Sequence, residues 1–312
     1  MLWIPFTILA ALGQVARNAM QRQLTGPLGT WGATNIRFLF GLPFALVFFT
    51  VIVAATGDTI GWPVPAFWPW LLLGALSQIL ATALMLAAMN ERSFVVTTAY
   101  LKTEAIQTAI FGFVFLGDHL TPLKIAAILI ATAGVVVTAL RPGGAKGFGD
   151  PAVQSRFLRR TGSHFAGKHF GPTLYGLVAA AAFALSAVGF RGAILTVPDV
   201  SFVTAASYTL TFGLAVQTLV LSIYLLARAP EVLAAILRLW RPSLAAGFMG
   251  AAASQFWFLA FALTAAANVR TLALIEVVFA QVVARVSFRQ PLTRRELIGT
   301  ALIVVGVALL VA

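Results

Sequence analysis

The 312-residue chain is 60% hydrophobic and only 10% charged, with a mean hydropathy of +0.96, more apolar surface than a soluble domain of this size can hide. The absence of cysteine excludes disulfides, thiol nucleophiles and cysteine metal sites. A formal charge of +12 suits nucleic acid in principle, but its distribution along the chain points to a membrane instead.

Apolar runs of roughly 20 residues match a ~30 Å hydrocarbon core. They are continuous, without the alternation of barrel strands, so the backbone must span as helices. In chain order, helices are expected at about Leu2–Ala19, Ala33–Ala55, Phe67–Met89, Phe94–Leu116 and Thr121–Leu140. A polar, basic stretch from Arg141 to Gly171 reads as a flexible cytoplasmic linker. Further helices follow at about Pro172–Leu195, Ser201–Ala227, Arg241–Ala265, Val269–Phe288 and Thr293–Ala312. The first run has no basic n-region and no small-residue cleavage site, so it reads as a retained helix. Most prolines fall near these ends, as they should. Pro43 falls inside the second helix and is expected to kink it.

The two sets repeat one another. Ser77-Gln78 and Ser254-Gln255 open long apolar stretches in each half. Glu104 and Glu276, Thr121 and Thr293, and Gly134 and Gly306 are then each 172 residues apart. The chain therefore divides into a repeat at 1–140, the linker at 141–171 and a second repeat at 172–312. The expected fold is an all-α polytopic membrane protein of about ten transmembrane helices in two five-helix repeats. The odd number per half inverts the second repeat about an axis in the membrane plane.

Sorting loops by alternate sides places Arg17, Arg22, Arg92, the linker cations, Arg228, Arg238, Arg241, Arg285, Arg289, Arg294 and Arg295 on one face. The other receives little beyond Lys124, Arg191 and Arg270, with Asp58, Asp118 and Asp199. That asymmetry is the positive-inside pattern, and it puts the basic loops in the cytoplasm and both termini outside.

Polar groups at membrane depth are the candidates for chemistry, because each is costly unless paired or solvated. Gln14, Gln78, Lys102, Glu104, Gln107, Gln255, Glu276 and Gln281 qualify. Gln78/Gln255 and Glu104/Glu276 are repeat-equivalent, which nominates the third, fourth, eighth and ninth helices as cavity walls, with Gln14 adding the first. On the fourth helix Tyr100, Glu104 and Gln107, spaced i, i+4, i+7, share one face. Lys102 points away from Glu104 and needs a partner elsewhere, unless it snorkels to the interface. Phe256, Trp257, Phe258 and Phe261 supply an aromatic wall suited to a zwitterion with an apolar side chain. The expected substrate-binding set is Gln14, Gln78, Tyr100, Lys102, Glu104, Gln255, Trp257 and Glu276. Most of these residue types also serve plain helix packing, which remains open for each.

The two five-helix repeats, the intramembrane carboxylates, the Gly117-Asp118-His119-Leu120-Thr121 turn and the Ile130–Val135 ending resemble the drug/metabolite transporter superfamily, in particular its EamA-type ten-helix exporters. The second copy, Arg289–Thr293 and Val304–Val307, matches less closely, and Lys102-Thr103-Glu104 stands where the family commonly has a proline. Ser77-Gln78, the Tyr100/Lys102/Glu104 cluster and the aromatic eighth helix look closest to bacterial aromatic amino acid exporters. The resemblance implies efflux of aromatic and other neutral amino acids across a bacterial inner membrane, by rocking of the repeats around a central cavity. Family members commonly have cytoplasmic termini, whereas the charge distribution here favours the opposite. The runner-up is a broader drug or metabolite exporter, and a passive channel is the competing class. No cofactor, metal or nucleic acid is expected; the partners are a small-molecule substrate and the bilayer, and the chain is expected to act as a monomer. An enzyme is not expected, since His119, His164 and His169 lie in loops and no two aspartates share membrane depth.

Overall fold

The computed structural model describes residues 1–91, 100–139, 172–279 and 293–312. Among these, every regular element is helical: α1 (Trp3–Leu39), α2 (Gly41–Thr56), α3 (Phe67–Glu91), α4 (Glu104–Leu116), α5 (Pro122–Ala139), α6 (Pro172–Leu195), α7 (Phe202–Arg228), α8 (Pro230–Arg238), α9 (Trp240–Leu263), α10 (Ala266–Leu272) and α11 (Arg294–Val311). The Gln23–Thr56 run and α3, α6, α7 and α9 are each long and apolar enough to cross a bilayer. The linker, Arg92, Gln281 and Arg289–Leu292 lie outside the described residues.

The first two expected helices meet without a loop. α1 continues past Ala19 through Pro27 to a break at Gly29, whose φ of 67° and ψ of 177° leave helical space, and resumes at once. Proline removes an intrahelical donor and glycine tolerates the positive φ, so the pair bends the chain without unwinding it. The expected kink at Pro43 takes the form of an interruption at Phe40, three residues earlier. Arg17 and Arg22 consequently lie within a helix, not in a loop. Arg270 and Arg191, counted with a loop face though inside the spans expected at Val269–Phe288 and Pro172–Leu195, lie within α10 and α6. α8, a short helix running from Glu231 in its first turn to Arg238 in its last, occupies what read as a simple connection. It buries Ile236 against Leu24, Leu28 and Ile36 of α1.

Packing between halves is reciprocal. α1 packs on α9 as α3 packs on α6, while α5 pairs with α11, α2 with α7, and α4 with α10. Each contact is matched by its counterpart on exchange of the two repeats, the signature of a pseudo-two-fold axis. The repeat-equivalent glycines Gly134 and Gly306 explain their own recurrence here. A methyl on Gly134 would stand 2.6 Å from the Gly299 carbonyl oxygen, and one on Gly306 would stand 2.6 Å from the Ala131 nitrogen. Small residues let the α5 and α11 backbones touch, as association in lipid requires.

The fourth and ninth spans are broken rather than continuous. Tyr100 and Leu101 are helical, Lys102 and Thr103 form a turn, and α4 begins at Glu104. In the other repeat α10 ends at Leu272, Ala273 and Leu274 form a turn, and helix resumes over 275–279. Tighter i→i−3 bonds mark both breaks: Thr103 N to the Tyr100 carbonyl at 3.2 Å and Glu276 N to the Ala273 carbonyl at 3.1 Å. The Thr103 hydroxyl also donates to the Tyr100 carbonyl at 2.7 Å.

Candidate functional site: crossed ion pairs at two broken helices

Each break places a carboxylate just beyond it, Glu104 in the first repeat and Glu276 in the second. Each carboxylate meets a cation from the opposite repeat. Lys102 pairs with Glu276, and Arg270 Nε stands 2.9 Å from Glu104 Oε1. The partner that Lys102 needed is therefore across the repeat axis. The two pairs cross between the halves, each joining a cation at or before one break to the carboxylate beyond the other. All four side chains are largely buried, at 8–15% exposure. Removing ions from water is expensive, and Coulomb attraction repays it only when charges are matched.

Trp257 of α9 forms the wall of this cluster. The Arg270 guanidinium lies 4.5 Å from the Trp257 ring centroid and 5.3 Å from that of Phe261, within cation–π range. Trp257 stacks near Phe261 at 6.1 Å. Its indole N–H has no acceptor among the described residues, nor has Glu276 Oε2 a donor. Buried polar atoms are normally satisfied, so these two stand out beside the ion pairs.

Two further cations were not anticipated as parts of a site. Arg17 and Arg37, both on α1, are 1% and 2% exposed. Arg17 donates to Asn18 Oδ1 at 2.8 Å and Arg37 to the Thr82 hydroxyl at 3.3 Å. Among the described residues no carboxylate pairs with either. In the sequence Arg17 stands near the end of an apolar run, where it looks like an interface charge, and Arg37 stands near the start of another. Only the continuation of α1 through Gly29 reveals their depth.

Among the sequence candidates, the structure brings together Lys102, Glu104, Glu276 and Trp257. The amides Gln78 and Gln255 are buried but spend bonds on α7. Gln217 Nε2 donates to Gln78 Oε1 at 2.8 Å, and Ser207 donates to Gln255 Oε1 at 3.2 Å. Gln255 Nε2 has no acceptor among the described residues. Gln255 and Trp257, two apart on one helix, point in nearly opposite directions. Gln14 is half-buried on α1. The expected shared face of Tyr100, Glu104 and Gln107 is interrupted by the break, and Tyr100 instead lies over Gly176 of α6, where a methyl would stand 2.8 Å from its Cβ. Gln107 donates to the Thr103 hydroxyl at 3.1 Å. Arg191 clamps the end of α9, donating to the Phe261 and Thr264 carbonyls at 2.6 Å each and approaching Asp118 at 3.4 Å.

No curated protein matches the chain. One solved structure, described only as the crystal structure of a protein, aligns over 98% of each chain with a TM-score of 0.63 at 17% identity. At that identity the likeness carries the fold alone. The pattern of the EamA-like transporter family matches residues 1–140 and 172–312, covering both repeats and leaving out the linker. With two helical repeats joined by crossed buried charges, the chain belongs to the EamA-like transporter family, a membrane transporter family of the drug/metabolite transporter superfamily.

Proposed function

We propose that the protein is a carrier working by alternating access, with its solute received between the two repeats at the crossed ion pairs and against Trp257. The observation that carries this reading is the pairing itself: Lys102–Glu276 and Arg270–Glu104 both join one repeat to the other. Rocking of the halves must separate these charges. A solute with its own charged group can replace one partner while the pair is open, which couples binding to the change of state. The fixed axis and the broken helices beside it are the usual anatomy of repeat-built carriers.

An aromatic or other neutral amino acid is the solute suggested by the sequence. Its ammonium group suits Glu104 or Glu276, its carboxylate suits Lys102 or Arg270, and its ring suits Trp257 and Phe261. Gln14, Gln78, Tyr100 and Gln255 then act from the surrounding helices. The bias of basic residues in the sequence toward alternate loops favours a cytoplasmic location for those loops and termini on the other side, in a bacterial inner membrane. Terminal reporter fusions in cells test the orientation, and termini found in the cytoplasm would reverse it.

The deciding experiment is counterflow in proteoliposomes loaded with unlabelled phenylalanine and presented with the labelled compound. Saturable exchange competed by tyrosine and tryptophan supports the amino acid reading. Exchange competed equally by unrelated drugs and metabolites supports a broader exporter. Conductance without saturable counterflow would reject a carrier in favour of a channel.

A further inference from the structure

Four buried cations, Arg17, Arg37, Lys102 and Arg270, stand in this region against two carboxylates, Glu104 and Glu276. Lys102 and Arg270 are matched by the crossed pairs; Arg17 and Arg37 meet no carboxylate among the described residues. Geometry places them together. A methyl on Gly250 of α9 would stand 3.3 Å from Arg37 Cγ and 3.4 Å from Arg17 Cδ, so both stems lie on one small patch of that helix. Trp257 is seven residues further along α9, on nearly the same face and about 10 Å away along the axis. The next turn between them, at Ala253, is packed by Gly13 of α1. Gly250 and Trp257 thus form one stripe, with the two arginines at one end and the Arg270–Glu104 pair at the other.

Arg17 Nη1 and Arg37 Nε have no acceptor among the described residues, though both side chains are essentially sealed from solvent. An uncompensated cation at membrane depth is costly, and a protein keeps it there when something else supplies the negative charge. Arginine's planar fork suits carboxylate and phosphate oxygens in particular.

We propose that the transported solute carries net negative charge and that Arg17 and Arg37 form its anion-binding subsite, at the Gly250 end of the α9 stripe whose other end, at Trp257, carries the crossed pairs. This rests on the carrier reading above for the solute's passage, though not for its binding, and replaces the neutral amino acid suggested by the sequence with an anion. The class is a small organic anion, bearing a carboxylate or a phosphate. A neutral amino acid would leave the excess positive charge in place.

The test uses purified full-length protein in phosphatidylcholine liposomes and four matched probes: 3-phenylpropionate and phenyl phosphate as anions, phenylalanine as zwitterion, and phenethylamine as cation. Binding is read by tryptophan fluorescence and by the rise in melting temperature. The expected result is saturable binding of at least one anion, tighter than phenylalanine, with no binding of phenethylamine. Arg17→Gln and Arg37→Gln should each weaken that binding about tenfold to a hundredfold, the effect of losing a hydrogen bond to a charged group. Arg17→Lys, which keeps the charge, should weaken it less. Both glutamine variants without probe should melt no lower than the parent, because each removes an uncompensated buried charge. A purely structural pair of arginines predicts the reverse.

Failure of both anions to bind, or anion binding unchanged in both glutamine variants, would overturn the proposal. So would stabilisation by phosphatidylglycerol through Arg17 without any binding of the free probes, which would assign the subsite to a lipid headgroup. Counterflow separates this proposal from the carrier reading. Exchange of phenylalanine but of no anion removes the anion subsite and leaves the carrier. Arginine-dependent anion binding without exchange of any probe keeps the subsite and removes the carrier.

Discussion

Cutting one member of a crossed pair should cost far more than cutting both. Lys102 and Glu276 expose only 13% and 10% of their side chains, so neither can recover its hydration when its partner is removed. Breaking a buried pair on one side typically costs about 3–5 kcal/mol, whereas replacing both members by neutral groups of similar size is often close to neutral. Lys102→Met and Glu276→Gln should therefore each destabilise by about 3 kcal/mol or more, and the double variant should recover at least about 2 kcal/mol relative to the sum. The assay is equilibrium unfolding of the four proteins by denaturant in mixed micelles, read as a double-mutant cycle. Arg270→Met and Glu104→Gln should give a second coupling of the same sign, because the two pairs are related by the repeat axis. Pairing across the cycle, Lys102 with Glu104, should give a smaller one, since those two residues share a single turn of chain and not an ion pair. Additive single effects at Lys102 and Glu276 would refute the reasoning and remove the latch on which the carrier reading rests.

Other consequences can be checked separately. Both site carboxylates are engaged by cations, so we expect uptake in proteoliposomes to be indifferent to an imposed pH gradient; acceleration by the gradient, abolished in Glu104→Gln or Glu276→Gln, would make that residue a proton carrier. Trp257→Leu should weaken solute binding and loosen Arg270, a cation–π contact worth about 0.5–2 kcal/mol, as measured by counterflow KM. Gln217→Leu strips Gln78 of its donor and should lower the melting temperature with little change in KM, since an unsatisfied buried group costs about 1–3 kcal/mol; a large KM change with unaltered melting would return Gln78 to the solute site. At the acidic end of the bundle, hydrogen bonds from Thr204 and Ser201 hold the Asp58 carboxyl down at about 2 against an ordinary 3.8. Its contribution is full above the ordinary value and is lost as pH falls from there toward about 2. Asp58→Asn should flatten helix content against pH in that window, and superimposable acid curves for the two proteins would contradict it.

Much of this architecture is written locally. Hydropathy and the 172-residue spacing of Glu104/Glu276 and Gly134/Gly306 determine a helical membrane protein of two repeats, because lipid permits little else and because a repeat is visible one residue at a time. Pro27 and Pro43 likewise announce the disturbances at Gly29 and Phe40, since proline acts on the turn that contains it. Sequence also identifies Glu104 and Glu276 as costly groups, and shows that Lys102 cannot satisfy Glu104 within its own helix. What it does not contain is who meets whom. Lys102 and Glu276, beside the breaks that flank α4 and α10, are brought together by the packing of those two helices, and an attraction across so many residues leaves no periodicity behind. The breaks at Lys102–Thr103 and Ala273–Leu274 have no proline or glycine to mark them, so the fourth and ninth spans read as continuous. Gln78 and Gln255 look like a matched central pair until α7 supplies Gln217 and Ser207. Arg17 and Arg37 are concealed for the opposite reason: a cation near the end of an apolar run is ordinarily at the interface, and only the tertiary structure, in which α1 kinks at Gly29 and both stems pack on Gly250 of α9, puts both inside.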